Sequence, residues 1–288
     1  AGAAGNQFFA FVVFLLLARL LPKIALGTYA IGWIFVEIGS VIASAGVTQL
    51  VARAKSLDQR QLDTIFWTNI ALGALYCLVL FAFAPAAARD FRAPQLDEVL
   101  RWLTLSVMLA SFGFTHMALR MREFGHRTVA ARSLLSGLIG GAAAVIAALL
   151  GAGVWSLVIQ RLVRDSVGTV LAWRAYPWLP RFNIDLTQAR SNLAFSAELA
   201  AAYLITLLPL RTQDLMIGRL MSAVALSTYK VAWRCTELLG PSIISPFSTV
   251  ALQTFSRLQD HPDEVASAYL ALLRKCSIMT VPALIGYG

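Results

Sequence analysis

Charge is what this 288-residue sequence has least of: Asp, Glu, Lys and Arg together make up 14% of it, against about 25% in an ordinary soluble domain. Cysteine is nearly absent as well. Cys77, Cys235 and Cys276 are far apart and match neither a disulfide framework nor metal-ligand spacing, which leaves them as small apolar packing residues. No HExxH, P-loop, Gly-x-Ser-x-Gly or Cys-x-x-Cys motif occurs. ATP hydrolysis and metal chemistry therefore have no support in the sequence, and neither a metal nor a cofactor is expected. Long polar segments are missing too. The longest, Pro180–Asn192 and Gln253–Lys275, are too short for a catalytic domain outside a membrane.

Apolar residues are what the chain has in excess, at 58% of the total and a mean hydropathy of +0.70. A helix needs roughly 20 mostly apolar residues to cross a bilayer core of about 30 Å. Eight such spans can be placed, at about Gly5–Leu21, Thr28–Leu50, Thr64–Pro85, Leu100–Leu119, Ala130–Leu150, Val154–Trp173, Ser196–Met221 and Leu226–Val250. A partial ninth starts near Cys276. The expected fold is an all-α integral membrane bundle. The chain starts at Ala1 without a Met and stops at Gly288 inside an apolar run from Ile278, so it is expected to be a piece of a longer protein. The first apolar stretch lacks a basic leader and is read as a membrane helix, not a cleaved signal.

The formal charge of +9 does not indicate a nucleic-acid partner, because the basic residues are scattered between apolar spans. Placing the N-terminus in the cytoplasm puts 13 of them in inside loops, from Arg53 to Lys275. Only Arg19, Lys23, Arg89, Arg92, Arg101 and Arg219 are then left outside. That asymmetry is the positive-inside pattern.

The sequence also repeats itself. Ala18–Trp33 realigns without gaps on Gly218–Trp233, with Arg, Leu, Ala, Leu, Thr, Tyr and Trp coinciding, and Glu37 falls on Glu237. Each copy covers the end of one helix, a tight turn and the start of the next. The copies lie six spans apart and so run the same way through the membrane. Two parallel six-helix halves are expected, an arrangement typical of transporters that rock one half against the other. Residues 1–180 form the first lobe in this scheme; residues 181–288 supply the connecting loop and the first helices of the second.

Ten charged residues fall inside the proposed spans: Glu37, Arg161, Arg164, Asp165, Glu198, Arg211, Asp214, Lys230, Arg234 and Glu237. Facing lipid, each costs about 2.5–3.5 kcal/mol, and together they cost on the order of 25–35 kcal/mol. Most must therefore pair or line a polar pathway. Glu37, Ser40, Ser44 and Thr48 follow helical spacing as one stripe on the second span. Arg161, Arg164, Asp165 and Gly168 share a face of the sixth, and Arg211 and Asp214 sit three apart on the seventh. Lys230, Arg234 and Glu237 share a face of the eighth, ending at Pro241. Arg161, Arg164, Arg211, Lys230 and Arg234 are the candidate substrate contacts, since arginine forks suit pyrophosphate or carboxylate. Glu37, Asp165, Asp214 and Glu237 are the candidate coupling or pairing groups. A structural ion pair is the plainer account of Arg161 with Asp165 and of Arg211 with Asp214. Glu37 and Glu237 equally suit anchors of the two halves, and Glu198 a snorkelling end residue. His116, His126 and His261 are expected to be solvated.

Ala18-Arg-Leu-Leu followed by Leu26-Gly-x-Tyr-Ala30 resembles the opening of the polysaccharide-transporter flippases of the multidrug/oligosaccharidyl-lipid/polysaccharide (MOP) superfamily. Ala118-Leu-Arg-Met-Arg-Glu-Phe124 and Gly151-x-Gly-Val-Trp-Ser-Leu-Val158 resemble the family's fourth-to-sixth helix region. Asp214-Leu-x-Ile-Gly-Arg219, Ala225-Leu-x-x-Tyr229 and Phe255-Ser-Arg-Leu-Gln259 resemble its seventh and eighth helices and the loop beyond. The resemblance implies a two-lobed fold of twelve to fourteen helices in the bacterial inner membrane. It also implies flipping of an undecaprenyl-pyrophosphate-linked oligosaccharide for surface polysaccharides such as lipopolysaccharide. Membrane lipids, a polysaccharide polymerase and export machinery are the partners that follow. Arg211 and Asp214 fall on the polar pair of the family's seventh helix; the first helix has Phe11 and Phe14 there instead. Alternatives are a cation-coupled multidrug exporter of the same superfamily, a lipid II flippase, and a membrane polymerase or ligase. The last class usually needs a larger outer loop than Ala86–Arg101.

Overall fold

The computed structural model describes residues 2–44, 46–53, 58–234, 265, 269–274 and 277–278, with side chains from residue 9 onward. Helix is the only regular structure among them. In chain order the helices are α1 (Gly2–Leu20), α2 (Lys23–Ser44), α3 (Val47–Arg53), α4 (Gln59–Asp90), α5 (Gln95–Arg122), α6 (His126–Leu149), α7 (Trp155–Ala175) and α8 (Leu186–Met216). A π-helical turn, Ile217–Met221, extends α8, and helix resumes over residues 223–234. Contacts divide the chain into two compact units, Ala1–Thr228 and Tyr229–Gly288.

Among the described residues, five helical stretches are long and apolar enough to cross a bilayer: Lys23–Arg53, Gln59–Asp90, Gln95–Arg122, His126–Leu149 and Leu186–Met221. The chain is a multi-pass membrane protein. Its outward faces carry Leu78, Val79, Ile146 and Leu149, a distribution that hydrocarbon tolerates and water does not. α7 is long enough but carries Arg161, Arg164, Asp165 and Arg174; Arg161 and Asp165 are paired and largely buried, whereas Arg164 and Arg174 are exposed.

In the first unit α7 packs against α5 and α6, α5 also against α4 and α2, and α1 against α6; α8 lies on α2 and α4. Small residues allow these approaches, as is usual where lipid supplies no hydrophobic drive between helices. Gly140 leaves room for the backbone and the Arg164 stem on α7, and Gly113 for Thr169 and Ala172. Leu17, Val13 and Leu21 pack with Ala144 and Leu157, while Val36, Val99, Leu103 and Val158 fill the middle. A third cluster, around Phe66, Val51, Leu119 and Trp178, fills the end where α3 and the α7–α8 connector meet α4 and α5.

One sequence expectation is corrected here. The second span is broken, because Gly46 takes a positive φ of 83° and separates α2 from α3. Glycine adopts that conformation at little cost. The stripe of Glu37, Ser40 and Ser44 therefore ends with α2, and Thr48 is exposed on α3.

The internal repeat recurs as geometry. Tyr29 stacks on Trp33 with ring centroids 6.4 Å apart, and in the second unit Tyr229 stacks on Trp233 at 5.8 Å. Each copy also has a helix interruption after its Arg-Leu pair, at residues 21–22 and at Ser222.

Candidate functional site

Two ion clusters lie inside the first unit. The first is built on α7, where one helical turn brings Arg161 Nε to 2.6 Å from Asp165 Oδ2. Both side chains are largely buried, at 17% and 11% exposure. The Arg161 guanidinium also lies 4.3 Å from the centre of the Trp33 ring on α2, a cation–π contact. Arg132 and Arg164 lie within electrostatic reach of Asp165. Arg132 is fixed by donating from Nε to the Gly168 carbonyl at 2.7 Å. Three arginines thus lie within reach of one carboxylate, Arg161 and Arg164 from α7 and Arg132 from α6. Tyr29 lies within reach of the same charges.

The second cluster joins α2 to α8. Arg211 grips Glu37 with two bonds, Nε to Oε2 at 2.7 Å and Nη2 to Oε1 at 2.9 Å, the bidentate fork geometry. Its Nη1 reaches Asp214 Oδ2 at 3.1 Å, one turn along α8. Asp214 is almost fully buried. One arginine is thus shared by two carboxylates.

The sequence-expected residues thus separate into groups. Arg161, Arg164 and Asp165 share the first cluster, and Arg164 is the exposed member. Glu37, Arg211 and Asp214 form the second, which shows Arg211 enclosed by carboxylates. Lys230 and Arg234 belong to the second unit, on helical residues, both half-buried. Glu237 and His261 lie outside the described residues. Glu198 is exposed, as is His126.

His116 is not solvated. It is fully buried, stacks on Trp173 at 4.5 Å and meets the Trp178 carbonyl through Nε2 at 3.0 Å. The reason is that the α7–α8 connector folds back over the helix end. Trp178 donates from Nε1 to Gln59 Oε1 at 2.9 Å, and buried Asp63 accepts from the Arg181 backbone N–H at 2.8 Å. Trp67 stacks on Phe182 at 4.3 Å. Asp185 then caps α8 by accepting from Thr187 N and Gln188 N, and it pairs with Arg60 at 3.3 Å. Sequence reading missed this connector as a built element and counted Arg132 among loop residues. The Asp185-Leu-Thr capping pattern and the density of Trp and Pro at 176–180 were its signals. Among the described residues no group of three or more His, Cys, Asp or Glu is placed to hold a metal ion.

Comparison with known proteins agrees with this architecture. A family model described as polysaccharide biosynthesis protein matches residues 16–287. The chain is 25% identical over 276 residues to the succinoglycan biosynthesis transport protein ExoT of Rhizobium meliloti (strain 1021), covering 96% of this chain and 56% of that protein. It is 22% identical over 273 residues to the lipopolysaccharide biosynthesis protein WzxC of Escherichia coli (strain K12), covering 94% and 55%. The teichuronic acid biosynthesis protein TuaB of Bacillus subtilis (strain 168) is 22% identical over 248 residues, covering 85% and 51%. The chain therefore spans about half the length of these relatives. One solved structure, described as the inward-facing conformation of a multidrug resistance MATE family transporter of the MOP superfamily, matches 99% of the chain and 69% of its own. The TM-score is 0.66 at 16% identity, which shows a shared fold.

Proposed function

Because the chain belongs to the polysaccharide biosynthesis protein family, we propose that it is part of a flippase that moves a lipid-linked oligosaccharide across the bacterial inner membrane. The N-terminus faces the cytoplasm in this reading, residues 1–180 make the first six-helix lobe, and residues 181–288 begin the second. The observation that carries the reading is the gathering of Arg161, Arg164 and Arg132 between α6 and α7. Guanidinium groups gathered inside a membrane suit an anionic headgroup, pyrophosphate or acidic sugar, through charge-assisted bonds. Arg161 and Arg164 hold it, and Trp33 offers an aromatic face beside them; Lys230 and Arg234 are further candidate contacts on the second unit.

The second cluster serves the movement. Arg211 binds Glu37 only while α2 and α8 stay together. A ligand anion or a proton that competes for either partner therefore favours separation of the two helices. Glu37, Asp165, Asp214 and Glu237 are the candidate groups for ion coupling. The work is transport and not bond chemistry. A polymerase and export machinery are the partners that would receive the cargo, and membrane lipids surround it.

Arg161→Ala and Arg164→Ala in the full-length protein test this. Surface polysaccharide is expected to fall at least tenfold in each while the protein still inserts in the membrane. Normal export from both removes the cationic site. A second reading, a cation-coupled drug exporter, is favoured by the two carboxylates around Arg211. A drug-efflux assay in a sensitised strain separates it: efflux without an effect on surface glycan selects the exporter.

A further inference from the structure

α2 and α3 run antiparallel to α8 and its continuation, and their contacts keep one register from end to end. Gly27 meets Ala223, Ile31 meets Gly218, and Glu37 meets Arg211. Toward the other end Gln49 Nε2 donates to the Tyr203 hydroxyl at 3.3 Å, and Arg53 lies 5.0 Å from the Phe195 ring centre. The two ends of this seam differ in kind. The Gln49 and Arg53 end rests on long, flexible side chains. The Gly27 end is backbone on backbone, since a Cβ on Gly27 would overlap the Ala223 carbonyl. Thr28, Leu226 and Ser227 are fully or almost fully buried there.

Gly27 and Ala223 belong to the two copies of the internal repeat, so the repeated turns close on each other across the seam. A second contact fastens the same end. Arg219 Nη2 lies 2.8 Å from Asp90 Oδ1, tying the π-helical turn to the last residue of α4. Both side chains are about half exposed. Exposed ion pairs are weak, so this one biases an equilibrium instead of locking it. Single π-helical turns are rare and frequently mark functional sites.

Resting on the transport reading above, we propose that the Gly27–Ala223 contact is the shut gate at the end of the pathway that carries the α1–α2 and α4–α5 connections. Arg219 and Asp90 are its latch. Opening draws the end of α8 away from α2, with the π-helical turn as the point of flexure, and the latch breaks with it.

The test uses the full-length protein with Cys77, Cys235 and Cys276 replaced by alanine. Thr28→Cys, buried in the shut rim, reports opening through its rate of labelling by a membrane-impermeant maleimide. Asp90→Arg or Arg219→Asp should each raise that rate severalfold, and the double reversal should return it to within twofold of the parent. Separately, Asp90→Cys with Arg219→Cys is bridged by a short cleavable thiol crosslinker. Bridging should reduce surface polysaccharide more than tenfold, and cleavage should restore it. Labelling unmoved by both reversals, or full export while bridged, overturns the gate even where export itself is confirmed. Raised labelling in a protein that exports nothing upholds the gate and removes only the cargo assignment. Gly27→Val gives a further check that does not depend on the latch: labelling should be as fast as in the reversals or faster.

Discussion

Two buried arginines, Arg161 on α7 and Arg211 on α8, are equally exposed at 17% yet sit in opposite surroundings. Arg161 takes its carboxylate, Asp165, from its own helix, and two further arginines lie nearby. Arg211 takes Asp214 from its own helix but Glu37 from α2. A pair within one helix survives any rigid movement of that helix. A pair across two helices exists only while they touch. The Arg161–Asp165 pair thus moves as one body with α7, and the Arg211 cluster is a contact that reports, and helps set, the distance between α2 and α8.

Removing Arg211 should give the largest effect on stability, because Arg211→Ala takes the bidentate partner from Glu37 and the cation shared with Asp214. Breaking a buried charge network costs about 3–5 kcal/mol, and the quarter exposure of Glu37 puts this case at about 3 kcal/mol. Thermal unfolding of the full-length protein in detergent checks it. The triple change Glu37→Ala, Arg211→Ala, Asp214→Ala should recover most of the loss; a triple as unstable as the single would break the comparison.

Arg161→Ala should cost less, about 1.5 kcal/mol, because Asp165 keeps Arg132 and Arg164 nearby. Export should nevertheless be lost. The two arginines then separate by their ratio of stability loss to functional loss. Trp33→Ala removes the cation–π partner of Arg161, worth about 0.5–2 kcal/mol, and Trp33→Phe should retain part of it. Export measured across the pair should rank wild type, Phe, Ala. At the small end, Thr48→Ala should change melting by no more than about 0.5 kcal/mol, since its hydroxyl faces outward on α3. A larger effect would return Thr48 to the polar stripe.

The helical bundle was legible because hydropathy is read over windows of about 20 residues, and such windows exceed local irregularities. For the same reason the break at Gly46 was not. Gly46 and Val47 do not interrupt the apolar run, and the break shows only in the positive φ of Gly46. The pairs Arg161–Asp165 and Arg211–Asp214 were legible from helical spacing. The Glu37 bond was not, because it depends on how α2 and α8 register against each other across 174 positions. His116 was misread because its burial is supplied by Trp178, 62 residues later in a connector that looked like an ordinary polar loop. The repeat was legible as sequence, and the stacked Tyr–Trp pairs give it a physical meaning.

The most direct measurement is binding of farnesyl pyrophosphate, a soluble isoprenoid pyrophosphate, to the purified full-length protein, with farnesol as the uncharged control. Affinity should fall at least tenfold when Arg161→Gln and Arg164→Gln are combined, stay within threefold for Arg211→Gln, and weaken as salt is raised. Unchanged affinity in the Arg161 and Arg164 variant, or equal binding of farnesol, would contradict the assignment of the α7 cluster as the anion site.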